Sequence, residues 1–309
     1  MKPEMSEYLR NLAAKALPAP WEVPVATLRA NLEQRALLSG APEPIYSVTN
    51  RFITGPTSDL PIRIYRPFKN PRERALPALI FFHGGGWVLN TLDIYEQALR
   101  SIANKGQFVV VAVGYQKAPE HCFPIPFDDC FATLQWVLAH ATDLGIDANQ
   151  IGVAGDSAGG TLAAGVAIKA RDLAINLKFQ ALIYPSIDNQ LTSESAREYA
   201  SGYGLTTKSM EWYWKQYLGG KGAEKNPYAV PARASNLTGV APAIIFTAEF
   251  DLLLDDGYAY ADQLRRNSVP VIYREIEGQI HGCFSLAGVT PDAEMIQSEL
   301  AREINSLLD

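Results

Sequence analysis

The chain has 309 residues, 48% of them hydrophobic and 19% charged, with 27 Lys and Arg against 33 Asp and Glu for a formal net charge of -6. That balance, without any run of like charge, lacks the basic footprint of a nucleic-acid binder. No apolar stretch reaches the roughly 18 residues that span a bilayer, and Glu4, Glu7, Arg10 and Lys15 interrupt the apolar pairs at the start of the chain, so neither a membrane span nor a signal peptide is read and the protein is expected in the cytoplasm. Cys122, Cys130 and Cys283 lack the spacing of a zinc or redox motif and are expected as free thiols.

In chain order, residues 1–44 place Leu9, Leu12 and Ala16, then Val25, Leu28 and Leu32, at helical spacing, and Pro18, Pro20 and Pro24 divide them into two short helices. Strand-like runs begin at Ile45: Ile45 to Ile53, Leu60 to Arg66, Ala78 to Phe82, Phe108 to Val113, Ile151 to Gly155, Phe179 to Tyr184, Ala243 to Ala248 and Val271 to Ile276. The first two are joined by Gly55-Pro56-Thr57-Ser58-Asp59, too short for a parallel crossover, which predicts an edge hairpin. Helical segments separate most of the rest, at Asp93 to Lys105, Asp128 to Ala141, Ala158 to Leu173, Asp256 to Asn267 and Asp292 to Leu308. This alternation predicts an α/β fold with a mainly parallel eight-stranded sheet and helices on both faces. Residues 186–240 break the alternation with a long insertion, in which Ser209 to Leu218 carries Met210, Trp212, Tyr213, Trp214 and Tyr217. Such a helix either packs or lines a substrate pocket.

Gly155-Asp156-Ser157-Ala158-Gly159 stands at the junction of a strand and a helix, the context in which a G-x-S-x-G run makes a sharp turn that lifts a serine hydroxyl above the sheet. His83-Gly84-Gly85-Gly86-Trp87 follows the third strand. Three glycines in a row pack nothing, and they suit a backbone that must approach a reacting carbonyl oxygen and offer it N–H donors. A phosphate-binding loop is disfavoured, since neither Gly-Lys-Ser/Thr nor G-x-G-x-x-G occurs. The serine needs a base, and of the four histidines His83 belongs to the glycine loop, His121 to a Pro-rich turn and His140 to a helix end. His281 follows the last strand, at the carboxyl edge where ligands bind in such sheets. Among Glu249, Asp251, Asp255 and Asp256, the last two read as first-turn helix residues and Asp251 is best placed to hold the imidazole. The chain order Ser157, Asp251, His281 is that of an α/β-hydrolase triad.

These segments, with Tyr115 to Glu120, resemble the bacterial hormone-sensitive lipase family of carboxylesterases over nearly the whole chain. The resemblance implies an α/β-hydrolase fold with an oxyanion hole at Gly85, Gly86 and Ala158. It also implies a helical cap made of residues 1–44 and 186–240, over a core of residues 45–185 and 241–309. The family's Tyr-Arg-Leu-Ala-Pro-Glu reads Tyr115-Gln116-Lys117-Ala118-Pro119-Glu120 here, and Cys283 stands before Phe284 where His-Gly-Phe is usual. Trp87, Trp212, Trp214 and Phe284 are expected at the substrate. The expected activity is hydrolysis of short- to medium-chain acyl esters, with no metal or cofactor and a small ester as the partner; a homodimer is a possible assembly. An amidase or lactonase could use the same triad. Plant gibberellin receptors also resemble the family, but they lack the base that His281 supplies.

Overall fold

The structure is a computed structural model that describes residues 1–30, 36–69, 75–220 and 222–308. All eight expected strands form: β1 (Ser47–Thr54), β2 (Asp59–Arg66), β3 (Leu76–Phe82), β4 (Val109–Val113), β5 (Ile146–Asp156), β6 (Gln180–Ile183), β7 (Ala243–Phe250) and β8 (Val271–Ile280). They make one sheet in the order β1-β2-β4-β3-β5-β6-β7-β8. β2 runs antiparallel to both β1 and β4, and the remaining pairs are parallel. The predicted hairpin is therefore the β1 edge. This is the α/β-hydrolase fold.

β3, β4 and the second half of β5, Ile151 to Gly155, are continuously apolar because both faces of the sheet are covered there. On β3, Ala78, Ile80 and Phe82 enter one core while Leu79 and Phe81 enter the other. Helices Ile125–Ala139, Ala158–Asp172 and Leu254–Arg266 cover the first face, and Glu96–Gly106 and Asp292–Leu308 the second. Helix Ile125–Ala139 starts three residues before the expected Asp128, because Pro126 fits the first turn, where its missing N–H has no partner to lose. β8 runs on past the expected Ile276 to Ile280, since pairing with β7 continues to Phe250 opposite Ile280.

The parallel register decides where the chemistry can sit. Phe82 pairs with Gly155 and Phe250 with Ile280, so the glycine loop, the serine turn, Asp251 and His281 all leave the sheet at the same carboxyl edge. Two further segments converge there. The N-terminal chain forms helices Pro3–Ala14 and Val25–Ala30, as expected, while Leu32 lies outside the described residues. Lys2 donates its N–H to Gly278 O at 3.0 Å and pairs with Asp292, and Thr290 donates to Glu4 at 3.1 Å, which ties the first helix to both sides of the His281 loop. From the second helix, Arg29 donates to Val88 O (2.9 Å), Ala118 O (2.8 Å) and the Glu120 carboxylate. The insertion between β6 and β7 contributes helix Thr207–Leu218, capped by the Thr206 hydroxyl accepting from the Ser209 N–H at 3.1 Å and ended by Gly219 at φ 63. Val25, Leu28, Trp212 and Tyr213 pack together on Val88, Leu89 and Ala118.

Candidate active site

Ser157 occupies a backbone conformation, φ 54 and ψ -121, that costs a side-chain-bearing residue about 1–3 kcal/mol. The turn persists because its surroundings leave no alternative. Ser157 N–H donates to Ile183 O at 2.8 Å, and helix Ala158–Asp172 begins at once. The flanking glycines are steric requirements: a Cβ at Gly155 would stand 2.2 Å from Gly159 O, and one at Gly159 would stand 1.9 Å from Phe82 O. The serine hydroxyl is thus held above the sheet, at the positive end of a helix dipole.

His281 Nε2 lies 2.9 Å from Ser157 Oγ, and His281 Nδ1 lies 2.6 Å from Asp251 Oδ2. Asp251 is buried, and its second oxygen accepts the Leu253 N–H at 3.0 Å, so the carboxylate cannot swing away from the ring. Tyr184 packs against the other side of the imidazole, with ring centroids 4.6 Å apart. The expected alternatives are occupied elsewhere. Asp255 accepts the Ser195 N–H at 2.8 Å, Asp256 accepts those of Ile187 and Asp188, and Glu249 accepts that of Gly278 at 2.6 Å. His83 is buried beneath the glycine loop, where desolvation and the Lys117 charge push its imidazole down to about 3, leaving it neutral.

The glycine loop lies against the residue before the serine, since the Gly84 N–H donates to Asp156 Oδ1 at 2.7 Å. Gly85 and Gly86 have φ 109 and 62, which a side chain would resist, and among the described residues no hydrogen-bond acceptor engages the N–H of Gly85, Gly86 or Ala158. A serine hydroxyl, an imidazole and a buried carboxylate therefore stand in line, beside a loop and a helix start with unengaged N–H donors, an arrangement suited to acyl transfer.

Residues 79–285 match the family model described as alpha/beta hydrolase fold. The ethyl acetate hydrolase of Pseudomonas putida is 33% identical over 303 residues, 95% of each chain, and the esterase LipI of Mycobacterium tuberculosis is 37% identical over 252 residues, 81% of this chain and 79% of its own. An ester hydrolase from the metagenome of Lake Arreo, solved with a bipyridine phosphonate derivative, superposes with a TM-score of 0.94 at 33% identity, covering 99% of this chain and 98% of its own. The chain belongs to the hormone-sensitive-lipase-like family of α/β hydrolases. The relatives named as esterases and ethyl acetate hydrolase are carboxylic ester hydrolases, and so is this chain.

Not every residue expected at the substrate can touch one in this hydrolase. Trp87 and Phe284 are 0% exposed and Trp214 is 2% exposed. Trp87 stacks on Tyr217 at 4.4 Å and packs on Trp214 at 4.4 Å, while Phe284 stacks on Phe81 at 5.9 Å beneath the sheet edge. These three hold the walls up from behind. Trp212 stays half-buried, but the side chain over the glycine loop is its neighbour Tyr213: a Cβ at Gly86 would meet the Tyr213 ring at 2.3 Å. Helical phase could have set Trp212 apart, since it lies opposite the buried stripe of Met210, Trp214 and Tyr217, whereas Tyr213, three residues from Met210 and four from Tyr217, borders that stripe. The sequence reading also missed a second aromatic group, where Tyr203 stacks on Phe250 at 5.9 Å and Tyr199 meets the same ring edge-on, next to Asp251. Cys283 is fully buried, and desolvation with the Asp251 and Asp292 charges pushes its thiol up, away from the reactive thiolate.

Proposed function

We propose that this chain is a serine carboxylesterase that hydrolyses short- to medium-chain acyl esters through Ser157, His281 and Asp251. As Ser157 Oγ attacks the ester carbonyl, His281 Nε2 takes its proton, while Asp251 keeps the imidazole in the right tautomer and stabilises the imidazolium that forms. The N–H groups of Gly85, Gly86 and Ala158 meet the negative charge that develops on the carbonyl oxygen. The imidazolium then protonates the leaving alcohol, and an acyl-enzyme remains on Ser157. Water, deprotonated by His281, attacks that ester and restores the serine. The observation that carries this reading is the unbroken relay of 2.6 and 2.9 Å from Asp251 through His281 to Ser157.

The N-terminal helices and residues 186–240 act as one cap, a division supported by their shared packing on Val88, Leu89 and Ala118. Trp212, Tyr213 and the Tyr199–Tyr203–Phe250 group then bound the space above Ser157. Each methylene buried there adds about 0.8 kcal/mol until the apolar wall ends, and the family resemblance sets that limit at medium chain length. A series of p-nitrophenyl esters from acetate to palmitate, assayed below micelle formation, tests this directly. The expected result is a kcat/KM maximum at four to eight acyl carbons, as the resemblance implies; a rate still rising at sixteen carbons would contradict it.

A further inference from the structure

The mechanism above leaves one residue of the serine turn without a part: Asp156, a carboxylate 3% exposed and adjacent to the nucleophile. Its Oδ1 accepts the Gly84 N–H at 2.7 Å, and its Oδ2 accepts the Tyr95 hydroxyl at 2.9 Å. The Tyr95 oxygen in turn accepts the same Gly84 N–H at 3.0 Å and the Asn90 Nδ2 at 3.3 Å. These groups lie directly under the glycine loop, because a Cβ at Gly84 would stand 2.6 Å from Asp156 Oδ2 and one at Gly85 would stand 2.9 Å from the Asn90 amide. Tyr95 is itself immobilised by its ring contacts with Phe81 at 5.6 Å and His83 at 6.0 Å. Lys117, the cation found where the family pattern has an apolar residue, donates to Asn90 O at 3.0 Å and steadies the same under-layer.

A run of three glycines has no side chains with which to hold its own peptide planes, so the direction of its N–H donors must be set from outside. We propose that Asp156 and Tyr95 are positioning residues for the oxyanion hole: by gripping the Gly84 N–H they fix the first peptide of the loop and thereby aim the donors of Gly85 and Gly86. The serine and the hole are then one unit, since the anchor of the loop is the residue before the nucleophile. A carboxylate this close to a developing oxyanion would oppose it, but here its oxygens are engaged by the Gly84 N–H and the Tyr95 hydroxyl. The proposal rests on the reading of Gly85 and Gly86 as oxyanion donors.

The test compares p-nitrophenyl butyrate with its thionoester, in which sulfur replaces the carbonyl oxygen. Sulfur is a larger and poorer hydrogen-bond acceptor, so the ratio of oxygen-ester to thionoester rates reports on the hole itself. Tyr95→Phe and Asp156→Asn, which preserve shape, are expected to lower kcat on the butyrate about 10-fold, and Asp156→Ala about 100-fold, with KM changed by less than about twofold. The oxygen-to-sulfur ratio should fall in the same proportion. An unchanged kcat, a loss confined to KM, or a kcat loss with the ratio intact would each overturn the proposal, the last by showing general distortion. Absence of ester turnover in the unmutated protein would instead remove the esterase reading beneath it.

Discussion

The floor of the active site and the segments that cover it are held by different physics. In the floor, backbone atoms touch backbone atoms: Gly159 could not carry a Cβ without reaching within 1.9 Å of Phe82 O, and the serine turn is locked between β5, β6 and a helix. In the cover, side chains pack on side chains, as Trp87, Trp214 and Tyr217 do, and the glycine at 202 has nothing within 4 Å of a would-be Cβ. The floor tolerates almost no change, whereas the cover can be refilled with other shapes. The proposed function puts chemistry in the first region and substrate choice in the second.

The sharpest way to break this contrast is a matched pair of alanines. Gly159→Ala is expected to abolish ester turnover and to destabilise the chain severely, because neither clashing group can move away. Gly202→Ala, at φ 91 in open space, should cost about 1–2 kcal/mol from backbone strain alone and leave turnover unchanged. Thermal unfolding and turnover measured on both variants decide the point, and equal penalties would erase the distinction. Next in size, Asp251→Asn should lower kcat about 10³- to 10⁴-fold by presenting the imidazole in the wrong tautomer. Asp255→Asn, whose carboxylate accepts the Ser195 N–H, should stay within about threefold, in line with a helix-start role. The reverse order would move the orienting carboxylate to Asp255.

This contrast also explains what could be read in advance. The meeting of Ser157, His281 and Asp251 and the glycine loop beside them were legible because steric necessity writes itself into residue type: only Gly satisfies Gly155 and Gly159, and the strand order then brings Asp251 and His281 to the same edge. The inner strands were legible because a sheet covered on both faces needs short apolar runs, and the exposed edge strand β1 was legible through its β-branched and aromatic residues and the short turn that follows it. Trp87, Trp214 and Phe284 were misplaced because an aromatic residue near a motif looks the same whether it faces substrate or supports the wall. Helical phase sets Trp212 opposite the buried stripe of Thr207–Leu218, but Tyr213 borders that stripe and is told from Trp214 only by its packing over Gly86. The interplay of Gly86 with Tyr213, more than 120 residues apart, depends on how two segments pack and leaves no local signal.

The cover therefore offers the intermediate tests. Trp214→Ala should cost about 3–5 kcal/mol of stability by opening a cavity in the packed aromatic layer, while the order of preference among ester chain lengths stays the same. Tyr213→Ala should do the opposite, with a small effect on stability and a kcat/KM maximum shifted to longer acyl chains. Chain-length profiles that moved with Trp214 and not with Tyr213 would reverse the assignment of wall and support.

The smallest expected effect concerns the joint between floor and cover. Asp256 accepts the N–H groups of Ile187 and Asp188 at 2.9 and 3.0 Å, where the insertion leaves the sheet, and burial, reinforced by the Asp188 and Asp251 charges, pushes its carboxyl up from 3.8 to about 7. The folded protein then keeps this proton across a range where the unfolded chain has released it. The Asp256 contribution to stability is accordingly greatest below about pH 4 and is lost as pH rises toward 7. Asp256→Asn, which cannot ionise, should gain on the parent protein as pH is raised from 5 to 8, by roughly 2 °C or more in Tm. A constant difference in Tm between the two across that range would remove Asp256 as the titrating group at the joint.

The central claim is that Ser157 is the atom source of the covalent intermediate, and stoichiometric labelling tests it most directly. A p-nitrophenyl phosphonate should release one equivalent of nitrophenolate per chain and abolish ester turnover, and peptide mass mapping should place the phosphonyl group on Ser157, with Ser157→Ala refractory. An adduct on any other residue, or full turnover retained by a stoichiometrically labelled protein, would contradict the account.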